Sequence, residues 1–119
     1  MRYTFGVGIG FDRDGKAIHP EEVRQYIEAA IKRASELFGG CFITRGDGGW
    51  IDPAGKLIVE PGIVITVDVA PYKYPIDTRI DGQRDVKRVN LYAHYLRQLF
   101  NQSSVIVTRI ESSSYFVED

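Results

Sequence analysis

The densest group of chemically capable side chains is Tyr72, Lys73, Tyr74, Arg79, Arg84, Lys87 and Arg88, all within 17 positions. Tyrosine rings can stack on a base, and guanidinium forks match phosphate oxygens. The composition is that of a clamp for a small anionic, nucleotide-like ligand. It is equally that of an oligomer contact, because tyrosine and arginine are enriched at protein interfaces. A second group is Thr44-Arg45-Gly46-Asp47-Gly48-Gly49-Trp50. Glycine-rich backbone beside Arg45 suits an anion. Trp50, the only tryptophan, is either a core plug or a stacking platform, and the stretch also reads as a bulged hairpin loop.

Glycines recur at Gly6, Gly8 and Gly10. A dinucleotide fingerprint is excluded, because that motif runs straight into a helix and Phe11-Asp12-Arg13-Asp14-Gly15 intervenes. Alternate glycines instead strip side chains from one face of a strand. Such a bare face marks close approach by a ligand or by another backbone. His94 and Asp68 are the weak candidates for acid–base work. His94 also reads as a structural residue beside a core stripe, and His19, before Pro20, belongs to a helix entry. No metal or cofactor is expected. Asp12-Arg13-Asp14-Gly15 begins like a calcium loop without its later ligands. Two distant histidines and one cysteine do not make a zinc site.

These groups sit in 119 residues carrying 15 basic and 16 acidic side chains, a formal charge of −1. That length fits one domain, 1–119, able to bury a core without metal or disulfide. The charge balance argues against general nucleic-acid coating. It conceals the basic cluster Lys73, Arg79, Arg84, Lys87 and Arg88, which leaves one small anion as a possible ligand. The single Cys41 cannot form an internal disulfide and reads as a small buried hydrophobe. No apolar run is long enough for a membrane span, so no membrane partner is expected and the cytoplasm is the expected location.

The elements that must position these residues follow from periodicity. Residues 2–9 alternate as a strand, with Tyr3, Phe5, Val7 and Ile9 on one face. Pro20, Glu21 and Glu22 open a helix with the apolar stripe Val23, Ile27, Ala30, Ile31, Ala34 and Phe38, closed by Gly39-Gly40. A short strand at 41–44, a break at 46–49 and a hairpin about Asp52-Pro53-Ala54-Gly55 follow. Pro61-Gly62 kinks the chain before the strongest strand, 63–69. Residues 70–84 form a long polar connection. A second helix spans 85–101, with Val86, Val89, Ala93, Leu96 and Phe100 as its stripe. A strand at 104–110 and a short one at 115–117 close the chain. The order predicts an α+β, ferredoxin-like βαββαβ sandwich: an antiparallel sheet, two helices on one face, and an extra β-hairpin.

Several stretches together resemble a family of small bacterial and phage proteins with a ferredoxin-like fold and no characterised function. They are Phe5-Gly6-Val7-Gly8, Phe38-Gly39-Gly40-Cys41-Phe42-Ile43-Thr44, Gly49-Trp50, Gly55-Lys56-Leu57-Ile58-Val59-Glu60-Pro61 and Leu99-Phe100-Asn101-Gln102-Ser103-Ser104-Val105. The resemblance implies the fold and carries no activity or catalytic residue.

The leading functional expectation is an oligomeric, non-enzymatic binding module for a small nucleotide-like anion. Arg45, Arg79, Arg84 and Arg88 would hold phosphate, and Tyr72, Tyr74 and Trp50 would stack. A homodimer or higher homo-oligomer would form through the open sheet face at Gly6, Gly8 and Thr66. If phage-borne, it would sequester a host signalling nucleotide. The first alternative is a small hydrolase or phosphodiesterase-like enzyme using His94 or Asp68. The second is a protein-binding inhibitor or an assembly module.

Overall fold

Alternation along the first strand decides which way the molecule faces. In β1 (Arg2–Gly8), Tyr3, Phe5 and Val7 are buried, while the residues between them are not. The computed structural model describes residues 1–69, 78–111 and 117, and only the backbone of 78–84. The further elements are α1 (Pro20–Phe38), β2 (Phe42–Ile51), β3 (Leu57–Asp68), α2 (Thr78–Leu99) and β4 (Ile106–Ile110). The four strands form one antiparallel sheet in the order β2-β3-β1-β4. Both helices pack on one face of it. This is the α+β, ferredoxin-like arrangement read from the sequence.

α1 begins as its residues dictate. Pro20 takes the first position, and Nδ1 of His19 accepts the Glu21 N–H at 3.1 Å. Gly39, with φ of 88°, closes the helix by donating to the Ser35 carbonyl at 3.0 Å. Only glycine adopts that left-handed conformation without steric cost.

The core joins Phe5, Ile65 and Val67 of the sheet to Ala30, Ala34, Tyr92, Leu96 and Phe100 of the helices. Tyr92 was absent from the expected stripe and is fully buried. Its hydroxyl donates to the Ala30 carbonyl at 2.7 Å, and its ring meets Phe5 edge-on at 4.9 Å. A tyrosine can lie so deep only because its one polar group is satisfied there. Val86 lies exposed instead.

Two regions differ most from the sequence expectation. α2 starts at Thr78, seven residues earlier than expected, and so shortens the polar connection. The expected short strand, break, hairpin and kink are one long antiparallel hairpin in constant register from Phe42↔Thr66 to Ile51↔Leu57. Pro61 stays in the ladder because its carbonyl accepts from Ile9 N at 3.0 Å. Carbonyl and nitrogen of one strand residue point to the same side, so its missing N–H faces the end of β1 and β2 loses no donor. The extra hairpin is thus the outer half of β2–β3. The expected final strand at 115–117 lies largely outside the described residues.

Candidate functional site

The sheet face without helices holds a groove of about 900 Å³. Directly opposed residues on antiparallel strands share a face, so the pairing register gives its floor. Gly46 of β2, Gly62 of β3 and Gly8 of β1 stand in one row across three strands. The next row is Thr44, Val64, Gly6 and Ile106.

Two of these glycines answer different needs. A Cβ on Gly62 would press on the Val7 carbonyl oxygen at 3.2 Å, so Gly62 serves close strand packing. A Cβ on Gly46 would meet nothing within 4 Å. There the absence of a side chain leaves open space.

Two turns bound the groove. Each follows the pattern Asp-x-x-Gly-Lys, residues 12–16 and 52–56. Asp12 Oδ1 accepts the N–H groups of Asp14 and Lys16 at 2.9 and 3.0 Å. Asp52 Oδ1 accepts those of Ala54 and Lys56, both at 2.9 Å. These carboxylates are spent on their own turns, as short acidic side chains commonly are. The start of a calcium loop noted at Asp12 is therefore a turn device. Among the described residues no group of three or more His, Cys, Asp or Glu is placed to hold a metal.

Glu60 differs. It stands on the open face opposite Gly48, half-buried, and its carboxylate lies over bare Gly8. Oε1 would be only 3.0 Å from a Cβ at that glycine. No described residue donates a hydrogen bond to it or pairs with its charge. Trp50 lines the same groove one pair further along, opposite Ile58. The described lining thus combines an indole, a bare floor and an uncommitted carboxylate. Its charged members are Asp12, Asp47, Asp52 and Glu60 against Arg13 alone.

Of the expected site residues, Trp50, Gly6 and Gly8 come together in this groove. Thr66 lies on the same face, beyond the groove, paired with Thr4. Arg45 is opposite Ile63, which puts it on the helix side of the sheet. Arg88 belongs to the helix seam. Its guanidinium donates to the Leu37 carbonyl at 2.9 Å, pairs with Asp85 and lies 5.7 Å from the Phe38 ring centre. Tyr72 and Tyr74 lie outside the described residues, as do the side chains of Arg79 and Arg84. The described arginines are therefore not gathered into one phosphate pocket.

His94 is exposed on α2 and does not line the groove. Asp68 is held by Arg2 through contacts of 2.8 and 3.2 Å at the far end of the open face. The hydrogen bond and charge of Arg2 keep its carboxyl below the usual range, which makes it a weak base. Sequence reasoning missed Glu60 and Arg13. The signal for Glu60 was its place one step before Pro61-Gly62, which continues into β3.

No protein-family model matches the chain, and no curated protein matches it. Solved structures do. A phage SAM lyase in complex with S-methyl-5'-thioadenosine aligns at a TM-score of 0.60 with 21% identity, covering 89% of this chain and 76% of that one. A phage SAM lyase in the apo state aligns at 0.58 and 18%, covering 89% and 75%. The periplasmic divalent cation tolerance protein CutA from Archaeoglobus fulgidus aligns at 0.52 and 9%, covering 96% and 88%.

The resemblance to small phage and bacterial ferredoxin-like proteins thus holds at the level of fold. The expectation of a non-enzymatic binding module is corrected by these neighbours. The structures that align at the higher scores are of an enzyme, and the small-enzyme alternative is the one they fit. No helix among the described residues is long and apolar enough to cross a membrane.

Proposed function

We propose that this protein is a small lyase that breaks a carbon–sulfur bond of a sulfonium nucleoside of the S-adenosylmethionine type, in the groove on the open sheet face. The observation that carries this reading is Glu60. An uncommitted carboxylate over a bare floor, with an indole beside it, suits a cationic centre next to a flat aromatic ring. The likeness to a phage SAM lyase adds support through the fold and through the thioether held in that structure.

The chemistry asks little of the protein. When the carbon–sulfur bond breaks, its electron pair stays on sulfur, and the positive charge there disappears. A lyase adds no water, so a carboxylate oxygen of the departing amino-acid arm supplies the electron pair to the carbon that sulfur leaves, closing a lactone with no proton to remove. The described lining contains no Cys, His or Lys to act as nucleophile or strong base. Its work is binding and orientation. Glu60 stabilises the sulfonium before reaction more than during it, so it contributes to substrate binding and to release of the neutral thioether.

Incubation of the purified chain with S-adenosylmethionine, followed by chromatography and mass detection, tests the proposal. Release of S-methyl-5'-thioadenosine is expected, and absence of turnover with intact substrate recovered overturns it.

Assembly belongs to the same reading. The whole span, 1–119, acts as one domain in the cytoplasm and forms a homo-oligomer through the open face. Phe42, Val64, Ile106 and Ile110 stand exposed on that face beside Gly6, Gly8 and Thr66. Four exposed large apolar side chains on one sheet face favour a partner surface there. Light scattering should give a mass at least twice 13.4 kDa, and a monomer at working concentration refutes this part.

A further inference from the structure

The groove also holds an uncommitted charge of opposite sign to Glu60. Arg13 is the only cationic side chain among its described lining residues. It lies in the turn at residues 12–16, and that turn is clasped to the end of α2. The Arg13 N–H donates to the Asn101 carbonyl at 2.8 Å, and its Nη2 donates to the Gln102 carbonyl at 3.3 Å. Gln102 Nε2 returns the tie by donating to the Phe11 carbonyl at 2.7 Å. Asn101 Nδ2 reaches Asp12 Oδ2 at 3.4 Å.

Although Asp12 and Asp14 flank Arg13 in sequence, neither carboxylate pairs with it. A guanidinium carries five N–H donors. The clasp uses one of them, on a neutral carbonyl, and leaves the charge unneutralised.

A free carboxylate and a free guanidinium in one groove describe the complement of a ligand with charges of both signs. We infer, resting on the sulfonium-nucleoside reading above, that Arg13 binds the carboxylate of the ligand's amino-acid arm. Glu60 receives the positive centre, and Arg13 receives the negative end. Arg13 is then a specificity-determining residue: it separates ligands that carry the carboxylate from those that have lost it. Gln102 and Asn101 position it, through the clasp, on the groove wall.

The test uses three unreactive thioethers: S-adenosylhomocysteine, the amine formed by its decarboxylation, and S-methyl-5'-thioadenosine. None carries a sulfonium, so the contribution of Glu60 at sulfur is removed. Calorimetry on the native chain should show S-adenosylhomocysteine binding about tenfold tighter than the decarboxylated amine, the scale of one charge-assisted pair. In Arg13→Met that preference should collapse to about twofold or less, while S-methyl-5'-thioadenosine binds as before. Arg13→Lys should recover part of it, since lysine keeps the charge and loses the fork.

A preference that survives in Arg13→Met overturns the inference. So does an equal loss for all three ligands, which would mark a structural role. If the native chain binds none of the three, the groove assignment itself fails, a different result from binding without carboxylate preference.

Discussion

On the helix-covered face of β1 stand Tyr3, Phe5 and Val7, each at most 5% exposed. On its open face stand Arg2, Thr4, Gly6 and Gly8. One strand, with one alternation, thus supplies both the core and the floor of the groove. The covered face gains about 1.5–3 kcal/mol for each large apolar side chain buried. The open face forgoes that gain, and each glycine within a strand costs about 0.5–1 kcal/mol relative to alanine. Stability and function are thus divided between the two faces of one strand. Substitutions on one face should unfold the protein, and substitutions on the other should disable it while it stays folded.

The largest expected effect is on the covered side. Phe5→Ala removes a fully buried ring in contact with Tyr92 and Phe38. It should destabilise by about 3–5 kcal/mol, read as a lowered denaturant midpoint. Activity should fall only in step with the unfolded fraction.

Gly46→Val should do the opposite. A Cβ there meets nothing within 4 Å, and valine favours a strand. The thermal midpoint should hold or rise while ligand binding and turnover are lost. An unfolded Gly46→Val would break the proposed separation of the two faces.

Glu60→Gln is the finer test of the open face. It keeps shape and removes charge. The KM for S-adenosylmethionine should rise about tenfold, with kcat held or increased, because the interaction is strongest before the charge disappears. A fall in kcat at unchanged KM would assign Glu60 to the chemical step instead.

Tyr92→Phe, back on the covered face, should cost about 1 kcal/mol for the lost bond to the Ala30 carbonyl.

The smallest effect is the acid dependence at Arg2–Asp68. The Asp68 carboxyl titrates lower in the folded protein than its ordinary value. Its contribution is therefore complete above the unfolded value, about 3.9, and is lost as pH falls through the lower folded one. The pair is largely exposed, so screening keeps the effect small. Denaturation of Asp68→Asn beside the native chain should show a gap that closes in acid.

The covered face was legible in the sequence because burial writes itself as periodicity. The strand 2–9 and the helix 20–38 could be placed from Tyr3, Phe5, Val7 and Ile9, and from Pro20 and Gly39. The outer hairpin was harder. Gly46 to Gly49 and Pro61 are strand breakers by local preference, and the structure keeps them in register because neighbouring strands satisfy the ladder. The groove was half legible. Bare glycines and Trp50 signalled an open face. Glu60 was marked only by its place before Pro61-Gly62, and Arg13 carried no signal, since isolated charged residues in an exposed segment are ordinary. The loop density of tyrosine and arginine drew attention elsewhere, and its one fully described arginine, Arg88, ties two helices together.

By itself the sequence determined the alternation, the ends of α1 and the order of elements, and with them a ferredoxin-like sheet with one apolar face. Those follow from interactions along the chain, where spacing is known. Which residues meet across strands was decided only by tertiary structure. Gly8, Gly46 and Gly62 are far apart in sequence and form one row. Glu60 becomes a candidate for binding because that row leaves its carboxylate room and no partner among the described residues. Register sets such neighbours, and register depends on how all four strands pair at once.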